Sequence, residues 1–140
     1  MTETYPTLVQ TVLDTTDPRG LAEFYRELLG LVYRPGDEPP APGQDDQLGR
    51  DWLCLRTPDG RPLLAFQAAD EVRPSTWPDP DVPQQLHLDL TVADEAELVR
   101  HRDRALALGA TLRLDRSDDP EEPLFVLADP AGHPFCLYVG

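Results

Sequence analysis

The sequence is constrained most strongly by an internal repeat, because the same three motifs occur twice along the chain in the same order. The first motif is an alternating segment that ends in aspartate, the second is a Leu-Gly pair, and the third is a turn that contains proline and glycine. The matched segments are 10–17 with 87–94, Leu29–Gly30 with Leu108–Gly109, and 57–64 with 129–136. A repeat of this kind predicts two structural units with one plan. Because a unit of about 70 residues is marginal alone, the two units should share a core.

Each half carries the signals of a strand, a helix and three further strands. Asp17 and Pro18 are typical of a helix start, and Gly30 is typical of a helix end. The elements predicted in the first half are strand Leu8–Asp14, a helix from Asp17 to Gly30, strand Leu31–Arg34, and a hairpin of Trp52–Arg56 with Leu63–Gln67. The elements predicted in the second half are strand Leu86–Val92, helix Asp94–Leu108, strand Thr111–Leu114, and a hairpin of Leu124–Leu127 with Phe135–Val139.

The two halves are expected to form a single domain. The 140 residues fit one ordinary domain, made of modules 7–69 and 85–140 that are joined by a proline-rich linker over 70–84. The predicted fold class is α+β, in which two βαβββ modules form a curved mixed sheet around a cavity with the helices on the outside.

The turn sequences of the two hairpins predict their register. Thr57-Pro-Asp-Gly60 and Asp129-Pro-Ala-Gly132 are typical of a type I turn with a glycine bulge, which sets Thr57 opposite Arg61. The register that follows pairs Cys54 with Leu64, Trp52 with Phe66, Val126 with Cys136, and Leu124 with Tyr138. These pairs predict which side chains share a face of the sheet.

Charge and composition exclude several classes of function. Twelve basic residues against 26 acidic ones give a formal net charge of −14, which opposes binding to nucleic acids and anionic membranes. This charge would steer a cationic ligand toward the protein, but the favoured interpretation is that the acidic groups keep the surface solvated. All the basic residues are arginines, so no lysine is available for a Schiff base. The two serines, Ser75 and Ser117, lie outside the turn that serine hydrolases use, so we expect no serine nucleophile.

The protein is expected to be cytoplasmic. The sequence has no stretch of about 18 apolar residues, and its start lacks the charged and then apolar pattern of an export signal. The two cysteines, Cys54 and Cys136, are therefore expected to be reduced thiols rather than a disulfide.

Alternation along the fifth predicted strand separates an apolar face from a polar face. The residues predicted to pack on a helix are Leu86, Leu88, Leu90 and Val92. The residues predicted on the opposite face are His87, Asp89 and Thr91, with Gln10, Val12 and Asp14 at the equivalent places of the first strand. Polar groups on the inner face of a curved sheet are the pattern that a ligand pocket needs.

These motifs resemble the vicinal-oxygen-chelate superfamily of glyoxalases, bleomycin-resistance proteins and extradiol dioxygenases, and within it the compact glyoxalase-like domains. The segments that carry the resemblance are Gln10–Asp17 with Leu21–Gly30, His87–Leu90 with Leu108–Ala110, and Asp129–Cys136. The resemblance implies a small-molecule ligand and a homodimer. It leaves the reaction open, because this superfold hosts several chemistries and some proteins that only bind.

Metal-dependent members of this superfamily place one ligand in the first strand and one in the last strand of each module. The resemblance maps these positions to Gln10, Leu64, His87 and Cys136. A divalent ion needs three or four His, carboxylate or thiolate donors, so we expect no metal cofactor here. If a metal is present, the expected ligands are His87, Gln10 and Cys136. The expected pocket residues are Gln10, Trp52, Leu64, Phe66, His87, Asp89, Cys136 and Tyr138.

Three hypotheses for the function remain open. The leading one is a glyoxalase-like small-molecule-binding protein without the usual catalytic metal, of a resistance or sequestering type. The second is a lyase, isomerase or dioxygenase-type enzyme that uses His87 as a base or an atypical metal site. The third is an interaction module without a ligand.

Overall fold

The computed structural model describes residues 2–140, in which two α-helices and eight β-strands are formed. The elements of the first half are β1 (Thr11–Thr15), α1 (Pro18–Leu29), β2 (Val32–Tyr33), β3 (Trp52–Arg56) and β4 (Pro62–Ala68). The elements of the second half are β5 (Leu88–Val92), α2 (Glu95–Leu108), β6 (Thr111–Arg116), β7 (Leu124–Ala128) and β8 (Pro134–Val139). Among residues 2–140, neither helix is long and apolar enough to cross a membrane.

The strands form two four-stranded mixed sheets of the same topology. Their orders are β1-β4-β3-β2 and β5-β8-β7-β6. β1 pairs in parallel with β4, and β5 pairs in parallel with β8. All the other neighbouring strands are antiparallel. The predicted α+β class with two βαβββ modules is confirmed. Over the described part of the chain the two sheets stay separate and do not close into a barrel.

Helix α1 begins and ends where its sequence predicts. The Asp17 carboxylate accepts a hydrogen bond from the Gly20 amide at 3.0 Å, and Pro18 is the first helical residue. Gly30 ends the helix with a φ of 66°, a left-handed conformation that glycine adopts at little cost. The buried stripe that α1 turns to the core consists of Leu21, Ala22, Phe24, Tyr25 and Leu28.

Helix α2 repeats this plan with a smaller buried face. The Asp94 carboxylate accepts a hydrogen bond from the Glu97 amide at 2.8 Å, and Gly109 ends the helix. The buried residues of α2 are Leu98 and Ala105. The two helices therefore contribute unequally to the core, and α1 supplies the larger apolar surface.

Tyr25 of α1 lies in the core between the two modules. Its ring stacks on Phe66 of β4 with the ring centroids 6.0 Å apart, and it meets Phe135 of β8 edge-on at 6.4 Å. Its hydroxyl donates a hydrogen bond to the Asp129 carboxylate, in the turn between β7 and β8, at 2.6 Å. Helix α1 of the first module is therefore packed against the second module as well as its own.

Two strands begin two or more residues later than their sequences predict. β1 starts at Thr11 rather than Leu8, and β5 starts at Leu88 rather than Leu86. The register of β1 with β4 begins at Thr11, so Leu8 lies beyond the paired part of the strand and is 92% exposed. The prediction that Leu86 packs on a helix is wrong, because this residue precedes the paired strand and is 47% exposed.

A β-bulge changes the register of the first hairpin. The Thr57 amide donates to the Arg61 carbonyl at 2.8 Å, as the turn sequence predicts. Between the pairs Arg56–Pro62 and Leu55–Leu64, however, Leu63 is an extra residue on β4. The observed pairs are therefore Cys54–Ala65 and Trp52–Gln67, and the predicted pairs Cys54–Leu64 and Trp52–Phe66 are wrong. A shift of one residue moves each side chain to the other face of the strand.

The second hairpin has the predicted register. Val126 pairs with Cys136, and Leu124 pairs with Tyr138. The Asp129 amide donates to the His133 carbonyl at 2.9 Å, which closes the turn without an extra residue in β8. The two hairpins therefore differ in register although their turns match in sequence.

The linker crosses from the first sheet to the turn between β7 and β8. The Ser75 amide donates to the Gly132 carbonyl at 3.3 Å, and Pro74 lies so close to Gly132 that a Cβ there would collide with it. Arg113 of β6 donates to the Ser75 carbonyl at 3.1 Å. These contacts fix the linker on the second module.

Candidate functional site

The candidate site lies on the side of each sheet that faces away from the helices, here called the open face. In β8, Phe135 and Leu137 belong to the core cluster, so Cys136 between them points to the open face. In β3, Leu53 and Leu55 belong to the same core cluster, so Cys54 points to the open face of the first sheet. Each module therefore presents one cysteine on this face.

On the second module, His87, Asp89 and Cys136 form a group that we call the donor cluster. Asp89 and Cys136 are direct partners in the parallel register of β5 and β8. His87 precedes Asp89 by two residues and therefore lies on the same face. The possible ligand atoms of the three side chains all lie within 4.8 Å of one another, and His87 Nε2 is 3.2 Å from Asp89 Oδ1. The side chains of His87 and Asp89 are 41% and 54% exposed, so solutes can reach them.

The surroundings of Cys136 disfavour a nucleophilic thiolate. Burial raises the pKa of the Cys136 thiol, and the negative charge and hydrogen bond of Asp89 raise this pKa further. A thiol with a raised pKa stays protonated at neutral pH and reacts slowly with electrophiles. The donor cluster is therefore an anionic, acceptor-rich group rather than a cysteine-nucleophile site.

On the first module, three side chains converge on the open face around Cys54. The Trp52 indole N–H donates to Cys54 Sγ at 3.0 Å, and Gln10 Nε2 lies 4.0 Å from the same sulfur. The Cys54 amide donates to Asp37 Oδ2 at 2.8 Å, which ties the loop after β2 to β3. The predicted pocket included Trp52 but not Cys54. Because side chains alternate along β3, Trp52 and Cys54 lie on one face, so the sequence pattern could have predicted Cys54 beside Trp52.

The predicted pocket residues fall into three places in the structure. Gln10 and Trp52 lie beside Cys54, whereas His87, Asp89 and Cys136 form the donor cluster. Tyr138 pairs with Thr91 and Leu124, on the same face as Cys136. The remaining two, Leu64 and Phe66, belong to the hydrophobic core, because the bulge at Leu63 turns them toward the helices. Leu64 also lines the leucine groove described below.

The four positions that the resemblance maps to metal ligands do not form a suitable ligand set here. Leu64 has no donor atom and is buried in the core, and Gln10 offers only a neutral amide that faces Cys54. His87 and Cys136 remain as good donors. On the second module, Asp89 is a third donor beside them. The sequence predicted Asp89 as a pocket residue but not as a metal ligand.

Two of the grooves that lie where the modules meet are close to the candidate site. The leucine groove has a volume of about 400 Å³, and its lining residues are Thr11, Leu29, Leu31, Leu63, Leu64, Leu88, Asp89, Leu90 and Thr91. The linker groove has a volume of about 370 Å³ and runs between β1, the linker and the turn between β7 and β8, where it includes Val12, Asp14, Arg73, Leu86 and His133. Of these two grooves, the leucine groove is the one that contains a member of the donor cluster, Asp89.

Comparison with known structures gives the same fold at low sequence identity. A glyoxalase/bleomycin resistance protein/dioxygenase family enzyme from Burkholderia phytofirmans is 17% identical, with a TM-score of 0.66 over 94% of this chain and 96% of that one. A lactoylglutathione lyase from Agrobacterium tumefaciens is 18% identical, with a TM-score of 0.57 over 99% and 96% of the two chains. The fosfomycin resistance protein FosX from Listeria monocytogenes, a mutant solved with Mn(II) and a dihydroxypropylphosphonic acid, is 15% identical, with a TM-score of 0.65 over 98% and 94%.

Comparison with protein families places the chain more closely than these structures do. No curated protein matches the sequence significantly. The sequence model of the glyoxalase-like domain matches residues 10–138, which is nearly the whole chain and includes both modules. The chain therefore belongs to the glyoxalase-like domain family, and it shares its fold with the glyoxalase and resistance-protein structures above.

Proposed function

We propose that this protein binds a small molecule in the leucine groove, as a resistance or sequestering protein without the usual metal site of its superfamily. The observation that carries the proposal is the position of Asp89, which lines the leucine groove and also belongs to the donor cluster. The leucines of the groove supply an apolar surface for the ligand, and the polar side chains of the donor cluster can orient the ligand by hydrogen bonds. This combination is typical of small-molecule sites.

The charge of the site favours a ligand with a cationic end. Asp89 is a half-exposed carboxylate at the groove, and the formal net charge of the chain is −14. Such a field raises the local concentration of cations and accelerates their binding. We therefore propose an amphipathic ligand whose apolar part contacts Leu63 and Leu88 and whose cationic part contacts Asp89.

A ligand screen by thermal shift tests this function. We expect a cationic glycopeptide of the bleomycin type, or another cationic amphiphile, to raise the melting temperature in a saturable way. Asp89→Asn should weaken that binding about tenfold or more, because a charged hydrogen bond is lost. Asp118→Asn makes the same change of charge at an exposed residue between β6 and β7 and should leave the affinity unchanged. If no ligand in the panel shifts the melting temperature, the proposal fails and an interaction module becomes the better hypothesis.

A second candidate function is a lyase, isomerase or dioxygenase-type enzyme in which His87 is the general base. It is favoured by the 3.2 Å contact of His87 Nε2 with Asp89, since a carboxylate partner orients an imidazole for proton transfer. The test is turnover of glutathione hemithioacetals and aromatic diols by the wild type, His87→Gln and the control His101→Gln. Turnover that is lost in His87→Gln alone supports the enzyme, and the absence of turnover in the wild type rejects it for these substrates.

We further propose that the protein is a homodimer. Apolar side chains near the start of β1 are exposed, and these are Tyr5, Leu8, Val9 and Val12. A group of exposed apolar residues of this kind is typical of a protein interface. Light scattering should give twice the mass of one chain, and Leu8→Asp should shift the protein toward the monomer. A monomeric wild type would contradict the proposal.

A further inference from the structure

We propose that His87, Asp89 and Cys136 bind a zinc-class divalent metal ion within the second module alone. This site differs from the family arrangement described above, because it takes no ligand from the first module and includes Asp89. The inference goes beyond the proposed function, since it does not depend on any organic ligand. The metal ion and the cationic end of the proposed ligand would compete for the Asp89 carboxylate.

The geometry of the three donors matches a small ion. In a tetrahedral zinc site, with ligands about 2.0–2.3 Å from the ion, the donor atoms lie about 3.3–3.8 Å from one another. Here the imidazole, carboxylate and thiol atoms lie within 4.8 Å of one another, and the imidazole and carboxylate atoms are 3.2 Å apart. A closure of about 1 Å is within the reach of exposed side chains that can change rotamer.

The strand register holds the three residues in place. Asp89 and Cys136 are directly paired across β5 and β8, so hydrogen bonds of the sheet fix the distance between their backbones. His87 is two residues before Asp89, at the point where β5 begins. The site is therefore assembled from one pair of parallel strands, and its formation requires neither the first module nor a second copy of the chain.

The donor types select the class of metal. A thiolate and an imidazole are preferred by Zn²⁺ and by its spectroscopic substitute Co²⁺, whereas Mg²⁺ and Ca²⁺ prefer oxygen ligands. Three protein ligands leave one position of a tetrahedron open. The leucine groove adjoins Asp89, so this open position is near the groove.

Cobalt titration of protein that carries no affinity tag tests the site. The protein is treated with a chelator, dialysed and titrated with Co²⁺. We expect saturation near one equivalent, a thiolate-to-cobalt charge-transfer band in the near ultraviolet, and displacement by Zn²⁺ but not by Mg²⁺. A wild type with no saturable cobalt spectrum would overturn the proposal.

Variants distinguish this site from other arrangements. Cys136→Ser should abolish the charge-transfer band, and His87→Gln and Asp89→Asn should each weaken cobalt binding about tenfold or more. The matched controls Cys54→Ser, His101→Gln and Asp118→Asn should bind as the wild type does. Gln10→Ala should also leave cobalt binding unchanged. If Gln10→Ala weakened cobalt binding as much as Asp89→Asn does, a site shared between the modules would be favoured and the one-module site would be overturned.

A measurement on the wild type removes the dependence on variants that fold poorly. Zn²⁺ should slow the alkylation of Cys136 about tenfold or more relative to the metal-free protein, as read by mass spectrometry of the peptide that contains it. Equal alkylation rates with and without Zn²⁺ would overturn the proposal. Repeating the ligand screen in chelator separates the two proposals, because ligand binding that persists there supports the proposed function whatever the result with metal.

Discussion

At the scale of single residues, one buried hydrogen bond joins the two modules. The Tyr25 hydroxyl donates to Asp129 across the core, and the Asp129 carboxylate also accepts from the amides of Ala131 and His133. Burial raises the pKa of the Asp129 carboxyl, and burial together with the Asp129 charge holds the pKa of Tyr25 well above its usual value. The Tyr25 hydroxyl therefore has Asp129 as its polar partner inside the protein, whereas the Asp129 carboxylate has two backbone amides besides Tyr25.

Removal of the Tyr25 hydroxyl should destabilise the fold. Tyr25→Phe leaves the ring in the core but deprives Asp129 of a donor, which we expect to lower the free energy of unfolding by about 1–3 kcal/mol. Urea denaturation measures this change. The control is Tyr5→Phe at an exposed position, which should have no measurable effect. Equal stability of Tyr25→Phe and the wild type would contradict the role of this hydrogen bond.

The raised pKa of Asp129 predicts a dependence of stability on pH. Because the folded protein holds this proton more tightly than the unfolded chain does, the contribution of Asp129 is fully present below its unfolded pKa, near 3.8, and decreases as pH rises through the folded pKa. In Asp129→Asn this contribution is absent. The free energy of unfolding of the wild type relative to Asp129→Asn should therefore fall as pH is raised from about 3.8. A difference that rises with pH over this range would contradict the direction of the shift.

Some residue roles follow from local sequence, and others need contacts between distant strands. Asp17, Gly30 and Asp94 cap their helices as predicted, because a cap depends on residues within a few positions. The donor role of Asp89 depends on its pairing with Cys136, which lies on another strand. No signal within β5 alone indicates that pairing, so the sequence predicted Asp89 as a pocket residue only.

At the scale of elements, the two hairpins have similar turns and different surroundings. Gly60 and Gly132 have positive φ values of 94° and 92°, so a side chain is strained at both positions. Beyond this, Gly132 lies against Pro74 of the linker, whereas Gly60 has open space around it. The contact of the linker with the second hairpin can therefore be measured by comparing the two glycines.

Alanine substitutions at these glycines should have unequal effects. Gly60→Ala should lower the free energy of unfolding by about 1–2 kcal/mol, the cost of a left-handed alanine. Gly132→Ala should cost about 1–3 kcal/mol more, because its Cβ displaces Pro74. Chemical denaturation of both variants gives the comparison. Equal losses would mean that the linker yields freely at Pro74.

The bulge at Leu63 marks the limit of prediction for the elements. Thr57-Pro-Asp-Gly60 determines the turn, and the turn forms as predicted. With the extra residue in β4, Leu64 and Phe66 pack under α1, and Cys54 stays on the open face. The position of the bulge is therefore determined by which side chains pack in the core. This choice is made by tertiary packing rather than by the local pattern.

At the scale of the whole molecule, the repeat correctly predicts the fold, and the core shows why both halves are needed. The core cluster combines Phe66 and Leu55 of the first module with Phe135 and Leu127 of the second. Separation of the modules would expose the apolar surface around Tyr25 to water. A single module is also close to the size at which one core becomes marginal.

A chain that ends at residue 69 should therefore fail to fold. It retains the first sheet and α1 but lacks Phe135 and Asp129, the partners of Tyr25 in the second module. We expect low helix content and no cooperative thermal transition by circular dichroism. The full-length chain is the control, and a cooperative transition in the truncated chain would contradict the shared core.

The central claim is that the functional site lies on the second module, at His87, Asp89 and Cys136 beside the leucine groove. Its most direct test is an amide ¹H–¹⁵N spectrum recorded during titration with the best ligand of the screen and, separately, with Zn²⁺. The account predicts that Zn²⁺ shifts mainly the amides of residues 87–91 and 134–138. The ligand should shift residues 88–91 together with Leu63 and Leu64 on the other wall of the leucine groove. Shifts concentrated at residues 52–54, or in the linker groove, would contradict it.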